Sequence, residues 1–445
     1  MKMVELYNTE LLGVKSFHLN NRYIMSRFLL FLAILFAQAA FAQAPYNLIL
    51  DYPLSSKALS EDLVTAHKLT YTVENKYLKP KLFDENNAFR KISGMAYRFG
   101  KTVFIDIPID HIILLVQHEI YGHGFRYREM GYIGNHYQIK LPPPYDCGGG
   151  MAYRGEWKGE GFRRRTRHEE IIISVGGMEA NTILANTMIS KWMAKGSMNY
   201  RETYLYVSNR NNITVYIQST SLCEQDDDCE PLPGNDVLSY LKNVNAENGY
   251  LLENNHRLSL DDLKKQSLIN FLDPFQFFAL YTYFKTYLWD GEEENKFPMI
   301  PLWKVRYLPS FHLGLSPFGP EYYFDNYVST DNKWYSFYFR KGDNTFHDFW
   351  GLGMKGNQIF DNRYLTFNPS LDIWQQPTIK TGGTEVNEIG GGMGFAVSGT
   401  FLFKVVKGEN PFSIYTQLGY KTAGYLPGEM ISDGLILRLG LSFRN

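Results

Sequence analysis

The last third of the chain, residues 304–445, alternates apolar and polar side chains in short segments separated by glycine, asparagine, aspartate or proline. Successive side chains of a β-strand point to opposite faces of its sheet, so this alternation predicts strands with one apolar and one polar face. In the final segment the apolar face carries Leu435, Leu437, Leu439, Leu441 and Phe443. Arg438 lies on the opposite face. We therefore expect an antiparallel sheet in this part of the chain.

The same alternation predicts about eight strands, enough to close a small barrel. They cover residues 304–315, 321–328, 333–340, 346–354, 364–374, 393–404, 412–421 and 434–443. A closed barrel has no unpaired strand edge, which would be unfavourable in lipid. Residues 301–445 therefore predict an antiparallel transmembrane β-barrel of about eight or more strands. A soluble antiparallel sandwich or lipocalin-like barrel would show the same alternation and stays an alternative.

The composition favours the membrane version of this sheet. Aromatic residues make up 16% of the chain, with 32 Tyr and 31 Phe. This excess suits strands and the aromatic girdles at membrane interfaces. The formal net charge is only -1, so no long-range field would draw the protein onto nucleic acid. We expect outer-membrane lipid as a partner and no nucleic acid.

The first 42 residues predict a leader and a secretory signal peptide. Residues 28–36 form an apolar run that Arg27 precedes and the small residues Ala40 and Ala42 follow. This order of charged, apolar and small residues is that of a signal peptide, and cleavage after Ala42 would leave Gln43 first. Together with the predicted barrel, it indicates export to a bacterial cell envelope and location in the outer membrane.

Residues 43–300 differ from the C-terminal part, because helical periodicity dominates and charged residues are more frequent. The predicted helices cover residues 109–130, 168–195 and 273–288. A strand is predicted at 102–107 and a hairpin at 204–217. The chain as a whole is therefore predicted to be α+β, with a mainly helical domain at 43–300 followed by the barrel.

The segment His118-Glu119-Ile120-Tyr121-Gly122-His123 lies within the first of these helices. Two histidines four residues apart share one face of an α-helix and can bind one metal, with the glutamate activating the bound water. Here the spacing is five, which would splay His118 and His123 by roughly 140° on a regular helix. A single π-type wide turn restores a shared face. Gly122 makes such a turn less costly because it removes side-chain crowding.

This segment resembles the zincin signature, and its longer spacing, His-Glu-x-x-Gly-His, is similar to that of the dipeptidyl-peptidase III family of metallopeptidases. The resemblance covers these six residues. It implies that His118 and His123 bind Zn²⁺ and that Glu119 is the catalytic general base. It also implies a gluzincin-like arrangement, in which the third ligand is a glutamate on a separate downstream helix.

Glu179 is the expected third ligand, because a catalytic zinc typically keeps three protein ligands and one water. It lies in the second predicted helix among apolar residues, where a carboxylate needs a partner such as a metal. The adjacent Gly176 and Gly177 would let two helices approach closely. Other candidate ligands are His111, His136, His168 and Glu169. A further alternative pairs Glu119 with His123, four residues apart, as ligands of iron or manganese.

These features together predict a zinc-dependent metallopeptidase that is anchored in the outer membrane and hydrolyses a peptide or protein substrate. The oxyanion donor would come from Tyr121, Tyr153 or Arg154. Residues 147–154 could form a strand edge that pairs with an extended peptide. Two alternatives stay open: a non-catalytic outer-membrane β-barrel protein with a structural metal, and a soluble secreted hydrolase.

Overall fold

A computed structural model describes most of the chain after residue 45. The described residues are 46–77, 88–146, 148–159, 163–221, 234–249, 257–296, 298–330, 333–406 and 412–443. The predicted leader and signal peptide, residues 1–42, lies outside them. Helices occupy most of the described residues up to 289, and an antiparallel sheet dominates those that follow. The predicted α+β class is therefore confirmed.

Thirteen helical segments are found in the described residues. In chain order they are α1 (Ser56–Tyr77), α2 (Ala88–Lys101), π1 (Thr102–Asp106), α3 (Ile107–Leu115), π2 (Val116–His123), α4 (Gly124–Glu129), α5 (Arg167–Lys195), α6 (Tyr200–Ser219), α7 (Asp236–Glu247), α8 (Leu260–Ser267), the 3-10 helix (Leu268–Leu272), α9 (Pro274–Tyr281) and π3 (Thr282–Trp289). None of these helices combines the length and the apolar character that crossing a bilayer would require.

The three predicted helices are confirmed, but two predicted β segments are wrong. Residues 102–107 continue the helix from α2 through π1, because no turn residue interrupts the chain there. The predicted hairpin at 204–217 is part of α6. A capping box between Asn199 and Glu202 starts this helix and satisfies its first free N–H groups. The β-branched and aromatic residues at 204–217 favour strands. The helix forms nevertheless, because its capping box and its packing in the fold override this local preference.

In the described part of the chain the large antiparallel sheet has 11 strands. They are β1 (Tyr46–Leu50), β8 (Ile300–Leu302), β9 (Val305–Ser316), β10 (Gly319–Ser329), β11 (Trp334–Gly342), β12 (Trp350–Asn357), β13 (Phe360–Asp361), β14 (Leu365–Gln376), β17 (Gly392–Val406), β18 (Phe412–Lys421) and β19 (Gly434–Phe443). All eight predicted strands are present. The sheet also includes β1, which lies in the segment predicted to be helical, and pairs it with β19.

Four small two-stranded sheets are also found among the residues that the structure describes. They pair β2 (Tyr132–Ile133) with β5 (Glu156–Trp157), β3 (His136–Ile139) with β4 (Gly150–Tyr153), β6 (Met198–Asn199) with β7 (Glu294–Asn295), and β15 (Ile379–Thr381) with β16 (Asn387–Ile389). The β3–β4 pair lies beside π2. It therefore becomes part of the candidate site.

The prediction that the large sheet closes into a barrel was wrong. The order of pairing runs from β1 through β19 to β9 and β8, and no ladder joins β1 to β8 in the described residues. Side chains from helices bind the free edges instead. On β1, the Ile49 N–H donates to Asp62 Oδ1 at 2.6 Å, and the Thr65 hydroxyl donates to the Asn47 carbonyl. On β9, the Leu313 N–H donates to the side-chain Oδ1 of Asn270, in the 3-10 helix, at 2.7 Å. These bonds replace part of the missing ladder.

The two faces of the sheet have opposite polarity. Leu435 on β19 is 85% exposed, whereas Arg438 on the same strand is 3% exposed. The Arg438 guanidinium donates to Glu429 at 2.6 Å and to Gln417 at 3.0 Å. The exposed face continues through Phe337, Phe339, Leu352, Met354, Met393, Phe395, Val397, Ile414, Leu418, Leu437 and Leu439. The predicted sidedness is confirmed, with apolar residues outside and polar residues inside.

Candidate metal centre

The helix that carries the histidine motif leaves α-helical geometry at that motif. Residues of π2 form a π-helix between α3 and α4. The wide turn brings the rings of His118 and His123 to the same side, with their centroids 5.0 Å apart. The predicted π-type turn is confirmed, and with it the shared face of the two histidines.

Glycines allow π2 to pack directly against α5. A Cβ atom on Gly122 would lie 2.6 Å from the Gly176 carbonyl oxygen, and one on Gly177 would lie 2.3 Å from His118 Nε2. Both distances are too short for a real side chain. The expected close approach of two helices at these glycines is therefore confirmed. It brings α5 close enough to hold both histidines.

An aspartate from a third helix completes a group of possible metal ligands. Asp236 is the first residue of α7, and its Oδ2 atom lies 3.4 Å from His118 Nε2 and 3.1 Å from His123 Nε2. The three ligand atoms lie within 4.8 Å of one another. Atoms bound to a tetrahedral zinc at about 2.0–2.1 Å are separated by about 3.3 Å. The observed distances therefore suit one small cation.

Hydrogen bonds to α5 determine the orientation of both imidazoles. The Nδ1 atom of His118 is 2.7 Å from Asn181 Oδ1, and that of His123 is 2.7 Å from the Ile173 carbonyl oxygen. The Asn181 amide group is oriented by its own Nδ2, which donates to the Leu114 carbonyl and to Asn209. Both Nδ1 atoms therefore carry hydrogen, and both Nε2 atoms point at Asp236.

The two imidazoles and the Asp236 carboxylate interact electrostatically. Burial alone would lower the pKa of His123, but the Asp236 carboxylate raises it to about 9. Burial would raise the pKa of Asp236, but the two histidines hold it at about 2. The carboxylate is therefore ionised at neutral pH. Two imidazole nitrogens and a carboxylate that face one another can share a proton or bind a metal.

Glu119 lines the same cavity as the three possible ligands. The cavity has a volume of about 310 Å³, and Tyr127 and Tyr216 also line it. The Glu119 carboxylate packs against β4, where a Cβ atom on Gly150 would lie 2.6 Å from Glu119 Oε1. This carboxylate is buried beside the histidines. Its position is suitable for exchanging a proton with a molecule in the cavity.

The structure does not bring Glu179 to the histidines. Its carboxylate accepts two hydrogen bonds from Arg126, at 2.6 and 2.9 Å. It also accepts hydrogen bonds from the Tyr425 hydroxyl, at 3.1 Å, and from the Gly428 N–H. These contacts tie α5 to α4 and to the loop before β19. The prediction of Glu179 as third ligand is therefore wrong, and Asp236 is the carboxylate that lies beside the two histidines.

The other candidate ligands also lie outside the group of three. His168 accepts a hydrogen bond from the Lys380 N–H, and Glu169 pairs with Arg163. His111 and His136 do not join His118, His123 and Asp236 within the described residues. Glu119 and His123, the alternative pair for iron or manganese, both line the cavity.

The residues predicted as oxyanion donors do not line the cavity. Tyr121 packs against a hydrophobic core, Tyr153 donates to Gln138, and Arg154 lies over the Tyr132 ring. None of the three lines the cavity. Tyr127 and Tyr216 do, and sequence spacing offers no signal for either.

No protein-family model, no curated protein and no solved structure that was compared with the chain matches it. The functional interpretation therefore depends on the geometry of His118, His123, Asp236 and Glu119. The resemblance to zincins covers the motif in π2 alone.

Proposed function

We propose that this protein is a zinc-dependent metallopeptidase, with His118, His123 and Asp236 as zinc ligands and Glu119 as general base. The convergence of three potential ligand atoms carries this proposal. Both Nδ1 atoms donate to α5, so both Nε2 atoms and the Asp236 carboxylate point at one another. Zinc takes imidazole nitrogens and carboxylate oxygens as ligands and would replace the proton that His123 shares with Asp236.

The chemistry follows from the groups around the cavity. Zinc bound there would acidify a water molecule and polarise a carbonyl group. Glu119 can accept the proton of the attacking water and deliver it to the leaving amine. The C–N bond breaks as the C–O bond forms, so the products are a carboxylic acid and an amine. This sequence of proton transfers is that of amide hydrolysis.

The neighbouring strand β4 supports an extended peptide as substrate. Gly150, Met151 and Ala152 of this strand line the cavity with Glu119. Only β3 pairs with β4 in the described residues. An extended chain can form main-chain hydrogen bonds with such an edge while its side chains alternate between pockets.

Tyr127 is the best candidate for stabilising the oxyanion. The Tyr216 hydroxyl is bound by the Asp236 N–H and contacts the Gly234 carbonyl, whereas the Tyr127 hydroxyl has no hydrogen-bond partner among the described residues. Burial raises the pKa of Tyr127 to about 12, so it stays a donor at neutral pH. Tyr127→Phe should lower kcat for peptide hydrolysis at least ~10-fold with little change in KM. An equal loss in Tyr216→Phe alone would contradict this assignment.

Zinc titration tests the proposed ligands. The purified protein should bind one zinc per chain, and Asp236→Ala should lower the affinity at least ~10-fold because a ligand is lost. Asp261→Ala is the matched control, since Asp261 is an acidic residue in the first turn of α8 as Asp236 is in α7. Equal zinc affinity in Asp236→Ala and in the control would contradict the proposed site.

We further propose that the sheet lies in the outer membrane, with its apolar face against lipid. The polarity of its faces supports this, because a water-soluble sheet buries apolar residues and exposes polar ones. Here the outward Leu435, Leu437 and Leu439 are exposed while Arg438 is buried. The protein should fractionate with outer membranes and resist extraction by salt and carbonate. Recovery in the soluble periplasm would contradict the membrane location.

A further inference from the structure

A second exposed apolar surface lies on the helices next to the edge of the large sheet. We define this helical apolar surface by the large apolar residues between 268 and 284 that are exposed. They are Leu268, Phe271, Leu272, Phe277, Leu280, Tyr281 and Phe284. Phe277 is 58% exposed and Phe284 is 57% exposed. A patch of this kind on a protein normally marks contact with another molecule or with lipid.

Charged residues are excluded from this surface. Between residues 268 and 284 the only charged side chain is that of Asp273, which is fully buried and paired with Arg210 at 3.0 Å. The first exposed charge is Lys285, which pairs with Asp290 at the end of π3. A helix face in water usually carries charged or polar residues. This one has aromatic and aliphatic residues in their place.

The helical apolar surface lies beside the free edge of the sheet. The 3-10 helix binds the free edge of β9 through Asn270, whose Oδ1 accepts the Leu313 N–H. Phe275 of α9 is buried and packs edge-on against the buried Tyr327 of β10, with ring centroids 5.4 Å apart, so α9 is anchored to the inner side of the sheet. Ile300 and Leu302 of the short strand β8 are exposed. Exposed apolar residues are therefore found both on the last strand at this edge and on the helices beside it.

We infer that the 3-10 helix, α9 and π3 contact lipid acyl chains and complete the membrane-facing surface where the sheet is open. This inference rests on the proposed location of the sheet in the outer membrane. An open strand edge in lipid would leave backbone N–H and carbonyl groups unpaired. Asn270 pairs with one such group on β9, and helices satisfy their backbone groups internally. Helices can therefore stand next to lipid at the position that a closing strand would otherwise occupy.

Photo-crosslinking in the membrane tests the inference with the full chain. The photoreactive phenylalanine analogue benzoylphenylalanine would replace Phe277 or Phe284 in protein reconstituted into vesicles of phosphatidylethanolamine and phosphatidylglycerol. Phe339→benzoylphenylalanine, on the outer face of β11, reports on the sheet. Lys265→benzoylphenylalanine, at an exposed position of α8, is the polar control. The helical positions are exposed, so the larger ring should not disturb folding.

Irradiation at Phe277, Phe284 and Phe339 should each increase the mass of the protein by one phospholipid, whereas position 265 should give no such adduct. A lipid adduct at Phe339 without one at Phe277 and Phe284 would overturn the inference and leave the membrane proposal intact. Crosslinked dimers at the helical positions would show that a second copy covers the surface. Absence of a lipid adduct at Phe339 would overturn both proposals.

Discussion

Glu119→Gln should lower peptide hydrolysis at least ~100-fold while leaving zinc bound. Gln has the size and hydrogen-bonding capacity of Glu, but its amide cannot accept the proton of the attacking water. The three proposed ligands, His118, His123 and Asp236, are unchanged in this variant. The loss should therefore appear in kcat, with zinc affinity and the unfolding transition equal to those of the wild type.

The measurement combines turnover of a broad peptide library with zinc stoichiometry in the same preparation. Glu170→Gln is a matched control, because Glu170 pairs with Arg165 at the surface and does not line the cavity. This control should keep full activity. If wild-type protein cleaves no peptide, or if Glu119→Gln cleaves as fast as wild type, the peptidase mechanism fails. The chain would then be better described as a non-catalytic protein with a structural metal.

Patterns that repeat over a few residues predicted much of this fold. The period of two in residues 434–443 is enough to predict both the strand and its sidedness, because the direction of a side chain depends only on its place in the strand. The π-type turn was predictable for a similar reason. Two histidines five positions apart cannot share a face of an α-helix, so binding of one metal by His118 and His123 required a wider turn.

Long-range contacts could not be predicted in this way. Asp236 and His123 are 113 residues apart in the chain, and no spacing relates them. The free edges of the sheet are bound by Asp62, Thr65 and Asn270, which lie on helices beside those edges. A pattern within the strands contains no information about such partners.

The prediction of Glu179 as a metal ligand was wrong although its premise was correct. A carboxylate among apolar residues needs a partner, and Glu179 has one. The partner is the Arg126 guanidinium rather than a metal. Burial of a charge predicts that it is paired, but it does not distinguish a cationic side chain from a metal ion. Arg126 lies on α4, only three residues after His123, and the sequence pattern contains no sign of its direction.

Glu179→Gln should lower the free energy of unfolding by about 3 kcal/mol without changing zinc affinity. Removing one partner of a buried ion pair costs roughly 3–5 kcal/mol, because the other charge is left without compensation. The lower end applies because Arg126 also pairs with Glu129 at 2.7 Å. Urea unfolding in detergent, followed by tryptophan fluorescence, measures this loss, and Glu170→Gln again serves as the surface control.

The same variant separates the two possible roles of Glu179. A ligand that is replaced by Gln would weaken zinc binding, and adding zinc would then shift the unfolding midpoint less than in wild type. A structural carboxylate predicts the opposite pattern, with a lower midpoint and an unchanged zinc-dependent shift. If Glu179→Gln loses zinc while the stability of the apo-protein is unchanged, Glu179 is a zinc ligand and the assignment of Asp236 as the third ligand is wrong. We expect the structural pattern, because four hydrogen bonds from Arg126, Tyr425 and Gly428 already occupy this carboxylate.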